Sequence, residues 1–347
     1  MRASRDGLGP FYQDVIAVDP LEPWGIASAV HRLGLLERTL PFPVDGARLV
    51  PSNNNDVWRL EPGYLRVAWR GDRGRLAREA EILDRLRGVI PVPEVLGRGG
   101  DDQLSWSLTA AMPGTPLGDL CTWPAPPRLR DIAMEAAGLL RALHAWPVPA
   151  ELAAMLRRPV SDPDPLRRAG AEPVLLPPSS ALGLVPVARQ LPFVDAGVLD
   201  AAAQRLTDLG DLADAGSEVL LHGDFYLSNA LVRDDHVSAL IDFEFSRMGP
   251  RDLELISIIR AFDVETRIGV PRPPLLAWLA EDYPELFGPA DLDRRLWLYA
   301  IAYTIRHIIF WPPDCAEADG LDLKHPLHTL RRLIDAPLPL PAADLPG

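Results

Sequence analysis

The pattern of apolar and polar residues predicts four short β-strands in the first third of the chain. They cover residues 48–50, 57–60, 64–69 and 104–109, and the polar stretch 51–56 separates the first two. In the run 64–69 apolar and polar residues alternate, and this period of two places one face of the strand against a core. Because the first three runs are joined by short turns, we expect them to pair antiparallel in one small sheet.

Helical spacing first appears at residues 75–87, where an apolar stripe predicts one amphipathic helix. Three further helical segments follow, over residues 128–146, 196–215 and 299–311. The chain is therefore predicted to consist of a sheet region with a single helix, followed by a larger and mainly helical region. This order predicts an α+β fold. The stripe consists of Leu76, Ala80, Leu83 and Leu86.

A second strand pattern interrupts the helical region near residue 220. The apolar run 219–221 predicts a buried strand, and the runs 230–232 and 237–241 flank a polar turn, which predicts a hairpin. A hairpin brings the residue before its first strand close to the residue after its second. Those two residues are Asn229 and Asp242.

These residues belong to a pattern that indicates phosphoryl transfer. Asp224 in His-Gly-Asp lies five residues before Asn229, the interval of the protein-kinase catalytic loop, and Asp242 follows in Ile-Asp-Phe-Glu. The reaction needs a carboxylate to orient the attacking hydroxyl, which fits Asp224. It also needs Mg²⁺, which prefers oxygen ligands such as Asn229 and Asp242.

His222 has two possible roles. It could be a catalytic or metal-binding histidine, or its ring could hydrogen-bond the backbone and brace the loop. Mg²⁺ sites rarely use imidazole, which favours the bracing role. Asp, Asn and Gly are also frequent in ordinary turns, but several of them at fixed offsets favour a functional site.

The motif His-Gly-Asp-x-x-x-x-Asn followed by Ile-Asp-Phe-Glu resembles the aminoglycoside phosphotransferase and choline kinase family of small-molecule kinases. The resemblance implies a protein-kinase-like two-lobed fold, with a small antiparallel-sheet lobe and a larger, mainly helical lobe. Residues 1–112, with a helical extension over 1–40, would form the nucleotide-binding lobe. Residues 113–347 would form the catalytic and acceptor-binding lobe. Segment 248–253 resembles another family motif, in which Asp252 would brace the catalytic loop.

The same resemblance implies how the nucleotide is held. A loop would cover its phosphates, a strand cation paired with a helix carboxylate would contact them, and an interlobe hinge would contact the base. These residues would be Ser52, Asn53, Asn54 and Asn55 in the loop, the pair Arg66 and Glu79, Thr109, Ala110, Ala111 and Met112 at the hinge, and Leu231.

Two features depart from the family pattern. The loop contains no glycine, and Arg66 stands where the family has lysine. Arginine also carries a fixed positive charge, and its guanidinium can bind two phosphate oxygens at once. These departures leave open a pseudokinase that binds nucleotide without turnover. Glu79 could instead be a surface partner of Arg75, one helical turn away.

Composition adds limits. With 347 residues and 48% hydrophobic content, the chain is long and apolar enough to form two packed lobes. It has neither an apolar run of membrane-spanning length nor the apolar core of a signal peptide. Two cysteines suggest no disulfide framework, and we expect a cytoplasmic protein. A net charge of −13 argues against nucleic acid as a partner. It is compatible with a polycationic acceptor or simply with solubility.

The sequence thus predicts a kinase that uses Mg²⁺ and ATP or GTP to phosphorylate a hydroxyl of a small molecule. An antibiotic is the first candidate acceptor, either an aminoglycoside or another sugar-containing or nucleoside compound, so that the reaction would confer resistance. The alternatives are a metabolite kinase for choline, ethanolamine, homoserine or a sugar, the pseudokinase, and a metal hydrolase using His222 and Asp224. Acidic residues from position 250 onward, Glu254 among them, could bind a cationic acceptor, but most are expected to be solvated. Oligomeric state is left open.

Overall fold

The structure is a computed structural model that describes most of the chain. The described residues are 26–50, 52, 55–69, 72–101, 103–117, 126–157, 175–191, 193–214, 218–260, 274–310 and 325–335.

A five-stranded antiparallel sheet forms the first part of the molecule, in the order β1-β2-β3-β5-β4. Strand β3 is central, and its register places Arg66 opposite Val57 on one side and Ser107 on the other. The strands are β1 (Arg48–Val50), β2 (Asp56–Leu60), β3 (Gly63–Ala68), β4 (Val95–Gly100) and β5 (Ser105–Ala110).

Two helices cover opposite faces of this sheet. Helix α1 (Ile26–Leu36) packs with the apolar residues of one face, among them Leu65 and Val67. Helix α2 (Arg75–Leu86) lies on the other face and buries the predicted stripe, with Leu76 and Leu86 both at 0% exposure. Because neighbouring side chains on a strand point to opposite faces, Arg66 points away from the α1 side and toward α2.

The larger part of the molecule is mainly helical. Its long helix α8 packs against α5, α6 and α9, and α3 packs against α7. These helices share one hydrophobic core, which also includes Ile82, Leu83 and Leu86 of α2 and so joins the sheet region to the helical region. The helices with both ends among the described residues are α3 (Pro126–Ala145), α4 (Ala150–Leu156), α5 (Pro178–Ala188), α6 (Ala196–Asp214), α7 (Leu275–Asp282), α8 (Leu292–Phe310) and α9 (Pro326–Asp335), and residues 255–260 are helical as well.

Two small sheets lie within this part and carry the motif residues. One pairs β7 (Glu218–Leu221) with β10 (Arg247–Pro250), and the other has the order β6-β8-β9. Strands β8 (Ala230–Arg233) and β9 (His236–Leu240) form the predicted hairpin, and β6 is Thr115–Pro116.

The hairpin turn has a definite backbone conformation. Its two central residues, Asp234 and Asp235, have φ angles of 52° and 64°. Positive φ at both positions is the pattern of the type I′ turn, whose twist matches that of the flanking strands, and aspartate tolerates this conformation better than most residues.

This architecture is the predicted α+β arrangement of a small antiparallel sheet followed by a larger helical part. The predicted boundary at residues 112 and 113 falls between β5 and β6 and stays a prediction. Of the helical extension predicted for residues 1–40, the described part begins at residue 26 with α1. Across the ranges that the structure describes, no helix is both long and apolar enough to cross a membrane.

Candidate active site

The His-Gly-Asp segment turns sharply after β7, and Gly223 makes the turn possible. Its φ angle is +87°, and a Cβ atom at this position would lie 2.1 Å from the carbonyl oxygen of Phe245. A side chain is excluded by both conditions, because left-handed backbone strains L-residues and the neighbouring backbone occupies the space. The glycine therefore lets β7 run directly into the loop that carries Asp224.

A buried carboxylate holds this turn in place. Glu254 is fully buried, and its Oε2 and Oε1 accept hydrogen bonds from the backbone N–H groups of His222 and Gly223 at 2.7 and 3.0 Å. Burial alone would raise the pKa of Glu254, but the hydrogen bond and charge of His144, together with His222 and the Gly223 N–H, hold that pKa below its usual value.

Two expectations from the sequence are corrected here. Glu254 is neither a solvated surface residue nor open to a cationic acceptor, because it is completely enclosed and bound to the loop. Asp252 does not brace the catalytic loop: it forms a bidentate ion pair with Arg295, at 2.7 and 2.9 Å. Asp252 is structural, but Glu254 is the residue that braces the loop.

His222 bridges the loop and the end of the hairpin. Its ring is fully buried, and Nε2 lies 3.0 Å from the carbonyl oxygen of Ile241, so Nε2 carries the proton and donates. Nδ1 is then free to accept from the backbone N–H of Asp224, at 3.4 Å. Burial lowers the pKa of His222, which agrees with a neutral ring. These contacts are those of a structural brace.

Asn229 and the Asp242 loop meet across the hairpin. The backbone N–H of Ile241 donates to the carbonyl oxygen of Asn229 at 3.0 Å. The side-chain amide of Asn229 donates through Nδ2 to the carbonyl oxygen of Asp224 at 2.8 Å, which leaves its Oδ1 as an available acceptor. Asp242 has a φ angle of 69°, a left-handed conformation uncommon outside glycine and often found at functional sites.

Arg66 of β3 connects the sheet to this loop. Its guanidinium pairs with Glu79 of α2 and lies 3.2 Å, through Nη1, from Oδ1 of Asp242. Glu79 is 1% exposed, and it also accepts the backbone N–H of Phe243 at 2.9 Å. Glu79 is therefore not a surface partner of Arg75. The predicted pair of Arg66 and Glu79 does form, and it lies beside Asp242, a predicted metal ligand.

The charges of this cluster do not balance. Arg66 and Arg75 face three carboxylates, those of Glu79, Asp242 and Glu244. Burial raises the pKa of Asp242, the charge of Glu244 raises it further and Arg66 opposes this, so that the pKa is about 7. The excess negative charge is the kind that a nearby divalent cation relieves.

The donor set fits Mg²⁺. Asn229 and Asp242 offer hard oxygen atoms, and the Asp242 side chain is 34% exposed. In the part of the chain that the structure describes, no three His, Cys, Asp or Glu side chains form a metal cage. A magnesium ion held here would take its other ligands from phosphate oxygens and water, as nucleotide-bound magnesium commonly does.

The other residues predicted to contact the nucleotide differ in how deeply they are buried and in whether they already have hydrogen-bond partners. Asn53 and Asn54 lie outside the described residues, and Ser52 is half-buried. Asn55 is 4% exposed, and its amide nitrogen and oxygen are bonded to Glu244 and Arg75, so its side chain is not available to the nucleotide phosphates.

The hinge predicted at 109–112 lies at the end of β5. There the backbone N–H groups of Ala110 and Ala111 donate to Glu94 and Pro62 at 2.8 and 3.2 Å. Leu231 lies on β8 opposite Ala239 and is 7% exposed.

Sequence reasoning missed Arg260, which the structure places beside the candidate base. Its Nη2 lies 3.3 Å from Oδ1 of Asp224, and its guanidinium is stacked over the ring of Tyr303 at 4.6 Å from the ring centre. Nothing in the local sequence marks this arginine, because the contact joins residues 36 positions apart through the packing of helices.

A curated relative and two solved structures resemble this chain. An aminoglycoside 3'-phosphotransferase of Streptomyces fradiae is 42% identical over 89 residues, which are 24% of this chain and about a third (32%) of the relative. The gentamicin complex of APH(2'')-IIa covers 88% of this chain and 96% of its own, with 15% identity and a TM-score of 0.60. A thermostable mutant of aminoglycoside phosphotransferase APH(4)-Ia, in complex with ADP and hygromycin B, covers 87% and 97%, with 14% identity and a TM-score of 0.57.

The two structures share the fold across nearly their whole length, which confirms the predicted kinase-like α+β class. The family comparison is more specific. The model of the phosphotransferase enzyme family matches residues 47–292, from the first strand of the sheet to the start of α8, and it includes every motif described above. This chain therefore belongs to the phosphotransferase enzyme family, which is the family of the aminoglycoside phosphotransferases.

Proposed function

We propose that this protein is a kinase that transfers the γ-phosphoryl group of ATP to a hydroxyl group of an antibiotic. The observation that carries the proposal is the meeting of the Asp224–Asn229 loop, Asp242 and the Arg66–Glu79 pair at one place in the fold. Phosphoryl transfer requires these three functions together, namely a base, magnesium ligands and a cation for the phosphates.

Each residue has a proposed role. Asp224 orients the acceptor hydroxyl and accepts its proton, and its side chain is 27% exposed, so that a ligand can reach it. Asn229 and Asp242 would hold Mg²⁺, which neutralises the phosphate charge during transfer. Arg66, oriented by Glu79, would bind phosphate oxygens.

Aminoglycosides are the first acceptors to test. The segment shared with the Streptomyces fradiae phosphotransferase and the hygromycin B and gentamicin complexes with the same fold support this class. The net charge of −13 would attract a polycationic acceptor. The ADP complex favours ATP as donor, and GTP is an alternative to test. Phosphorylation of such a drug would confer resistance, and use of ATP would place the reaction in the cytoplasm.

The test is an acceptor screen with purified protein. Aminoglycosides, other sugar-containing and nucleoside antibiotics, and choline, ethanolamine and homoserine are incubated with Mg²⁺ and either ATP or GTP, and phosphorylated product is detected by mass spectrometry. We expect product from an antibiotic. Product from a metabolite alone would replace the antibiotic by the metabolite-kinase alternative, and nucleotide binding without product from any acceptor would favour the pseudokinase.

A matched variant assigns the activity to the site. Asp224→Asn keeps the shape of the side chain, so we expect nucleotide binding to persist while turnover falls by about 10²–10⁴-fold, the range for loss of a general base. Asp208→Asn makes the same substitution at an exposed carboxylate of α6, serves as the control and should retain full turnover. Equal turnover of Asp224→Asn and the wild type would contradict the proposed base.

A further inference from the structure

Glu244, the last residue of Ile-Asp-Phe-Glu, has no role in the mechanism above, yet it is almost completely buried. Its side chain is 1% exposed and accepts hydrogen bonds from Asn55 at 2.7 Å and from Arg75 at 3.0 Å. Arg75 in turn donates to Oδ1 of Asn55 at 2.7 Å. The three side chains thus form a closed ring of hydrogen bonds, which we call the buried triad.

The buried triad joins three separate parts of the chain. Asn55 immediately precedes β2, Arg75 is the first residue of α2, and Glu244 lies two residues after Asp242. Burying a charge is costly unless it is paired and hydrogen-bonded, so the triad fixes these segments together strongly.

Helix α2 is consequently attached to the Asp242 loop at two successive turns. Arg75 holds Glu244 in the first turn, and four residues later Glu79 accepts the backbone N–H of Phe243. Arg66 pairs with Glu79, which makes the second attachment, and also with Asp242. Displacement of α2 would therefore change the position of Arg66 relative to Asp242.

The start of β2 is fixed from its other side as well. Asp56, next to Asn55, forms a buried bidentate pair with Arg32 of α1 at 2.6 and 2.8 Å. Helix α1 precedes the segment that the family model matches. Because Asn55 and Asp56 bond to partners from different helices, the start of β2 is held between α1 and α2 and has little freedom to shift.

We propose that Asn55, Arg75 and Glu244 are positioning residues that hold α2 and the start of β2 against the Asp242 loop, and thereby set the affinity for the magnesium nucleotide. The inference rests on the proposed function, because it assumes that Arg66 and Asp242 bind the nucleotide and its metal. It assigns no contact with the reacting atoms to the triad. Loss of the triad should therefore weaken nucleotide binding and leave turnover at saturating substrate nearly unchanged.

The test uses Glu244→Gln in the full-length protein, which removes the charge at nearly constant volume. The dissociation constant of the magnesium complex of a non-hydrolysable ATP analogue is measured by calorimetry, and kcat and KM for ATP are measured with the best acceptor of the screen. We expect the dissociation constant and KM to rise about tenfold, with kcat within about twofold of the wild type, since a 1.4 kcal/mol loss of binding corresponds to tenfold.

The control lies on the same helix. Glu81→Gln makes the same substitution in α2, at a partly exposed carboxylate that pairs with Arg85 and Arg98 on another face. We expect it to bind the nucleotide like the wild type. A rise in the dissociation constant for Glu81→Gln equal to that for Glu244→Gln would show a general effect of disturbing α2 and would overturn the role of the triad.

Asn55→Ala tests the triad without removing a charge. It leaves the Arg75–Glu244 pair in place, so it remains informative if Glu244→Gln does not fold. We expect a smaller loss of affinity, and in the double variant a loss close to that of Glu244→Gln alone, because members of one network are not additive. Unchanged affinity in both single variants overturns the inference and leaves the proposed function standing. Failure of the wild type to bind any magnesium nucleotide overturns both.

Discussion

Arg260 and Asp224 form an ion pair at the centre of the candidate site, with Nη2 of the arginine 3.3 Å from Oδ1 of the carboxylate. The arginine is held from the other side by Tyr303, whose hydroxyl accepts from Nη1 at 2.7 Å. An acceptor hydroxyl must approach the same carboxylate to donate its proton. Arg260 therefore borders the position of the acceptor and fixes the orientation of the proposed base.

Substitution of Arg260 by glutamine should impair turnover more than nucleotide binding. Loss of the guanidinium frees the Asp224 side chain to rotate, and we expect kcat to fall on the order of tenfold, because a misplaced catalytic group reduces the rate even when it is present. The dissociation constant for ATP should stay within about twofold. Arg294→Gln, at an exposed arginine of α8, is the control and should change neither quantity.

Asp242→Asn should stabilise the metal-free protein at alkaline pH. The pKa of the Asp242 carboxyl is about 7 in the folded chain and near 4 in the unfolded chain. The protonated carboxyl therefore contributes its full stabilisation of the folded state below pH 4, and this stabilisation is lost as the pH rises to about 7. Asparagine has no charge to bury. In the presence of a chelator we expect a higher Tm than the wild type at pH 8 and no advantage at pH 4.

The same variant should lose the protection that the magnesium nucleotide provides. For the wild type, Mg²⁺ with ADP should raise Tm more at pH 8 than at pH 6, because the ligating carboxylate is ionised mainly above pH 7. Scanning calorimetry measures both effects. A pH-independent rise in Tm that is equal in Asp242→Asn and the wild type would remove Asp242 from the metal site.

Gly223→Ala should destabilise the protein by about 2–4 kcal/mol, the sum of left-handed strain and overlap with a neighbouring group. A Cβ atom there would collide with the Phe245 carbonyl, which is backbone and cannot rotate away. Gly183→Ala in α5 is the matched control, since no atom lies within 4 Å of the added Cβ. We expect it to stabilise by roughly 0.5–1 kcal/mol in urea denaturation, as alanine does inside a helix.

Glu254→Gln should destabilise the folded state by about 1–3 kcal/mol, because it replaces an acceptor of two buried N–H groups with an amide that can satisfy only one. The loop between His222 and Asp224 should loosen, so kcat should also decrease. Urea denaturation and steady-state kinetics measure the two effects. An unchanged free energy of unfolding would contradict the bracing role that the hydrogen bonds indicate.

The strongest predictions from sequence concerned elements whose signal is local. The β8–β9 hairpin was readable because both strands and the turn lie within twelve residues, and α2 was readable from its apolar stripe. Strand β4 was not predicted, because it contains three glycines and lacks an alternating pattern. Two of them, Gly97 and Gly99, make room for Trp106, whose ring would lie 3.3 Å from a Cβ at Gly97 and 2.9 Å from one at Gly99.

The residues of the candidate site also divide into those with a local sequence signal and those without one. Asp224, Asn229 and Asp242 could be proposed from spacing, because they lie close in sequence. The positions of Glu254 and Arg260 could not, since burial and long-range contacts decide them. Glu254 lies among other acidic residues and resembles a surface carboxylate in composition, but tertiary packing places it under the loop.

The β8–β9 hairpin also bears on the order in which the site is assembled during folding. Closing the hairpin joins residues a dozen positions apart, whereas the Arg66–Asp242 and Asn55–Glu244 contacts close loops of 176 and 189 residues. Long loops cost more entropy and form more slowly than local turns. The metal-binding half of the site can therefore form from local interactions, and the phosphate-binding half is completed only when the N-terminal sheet docks onto it.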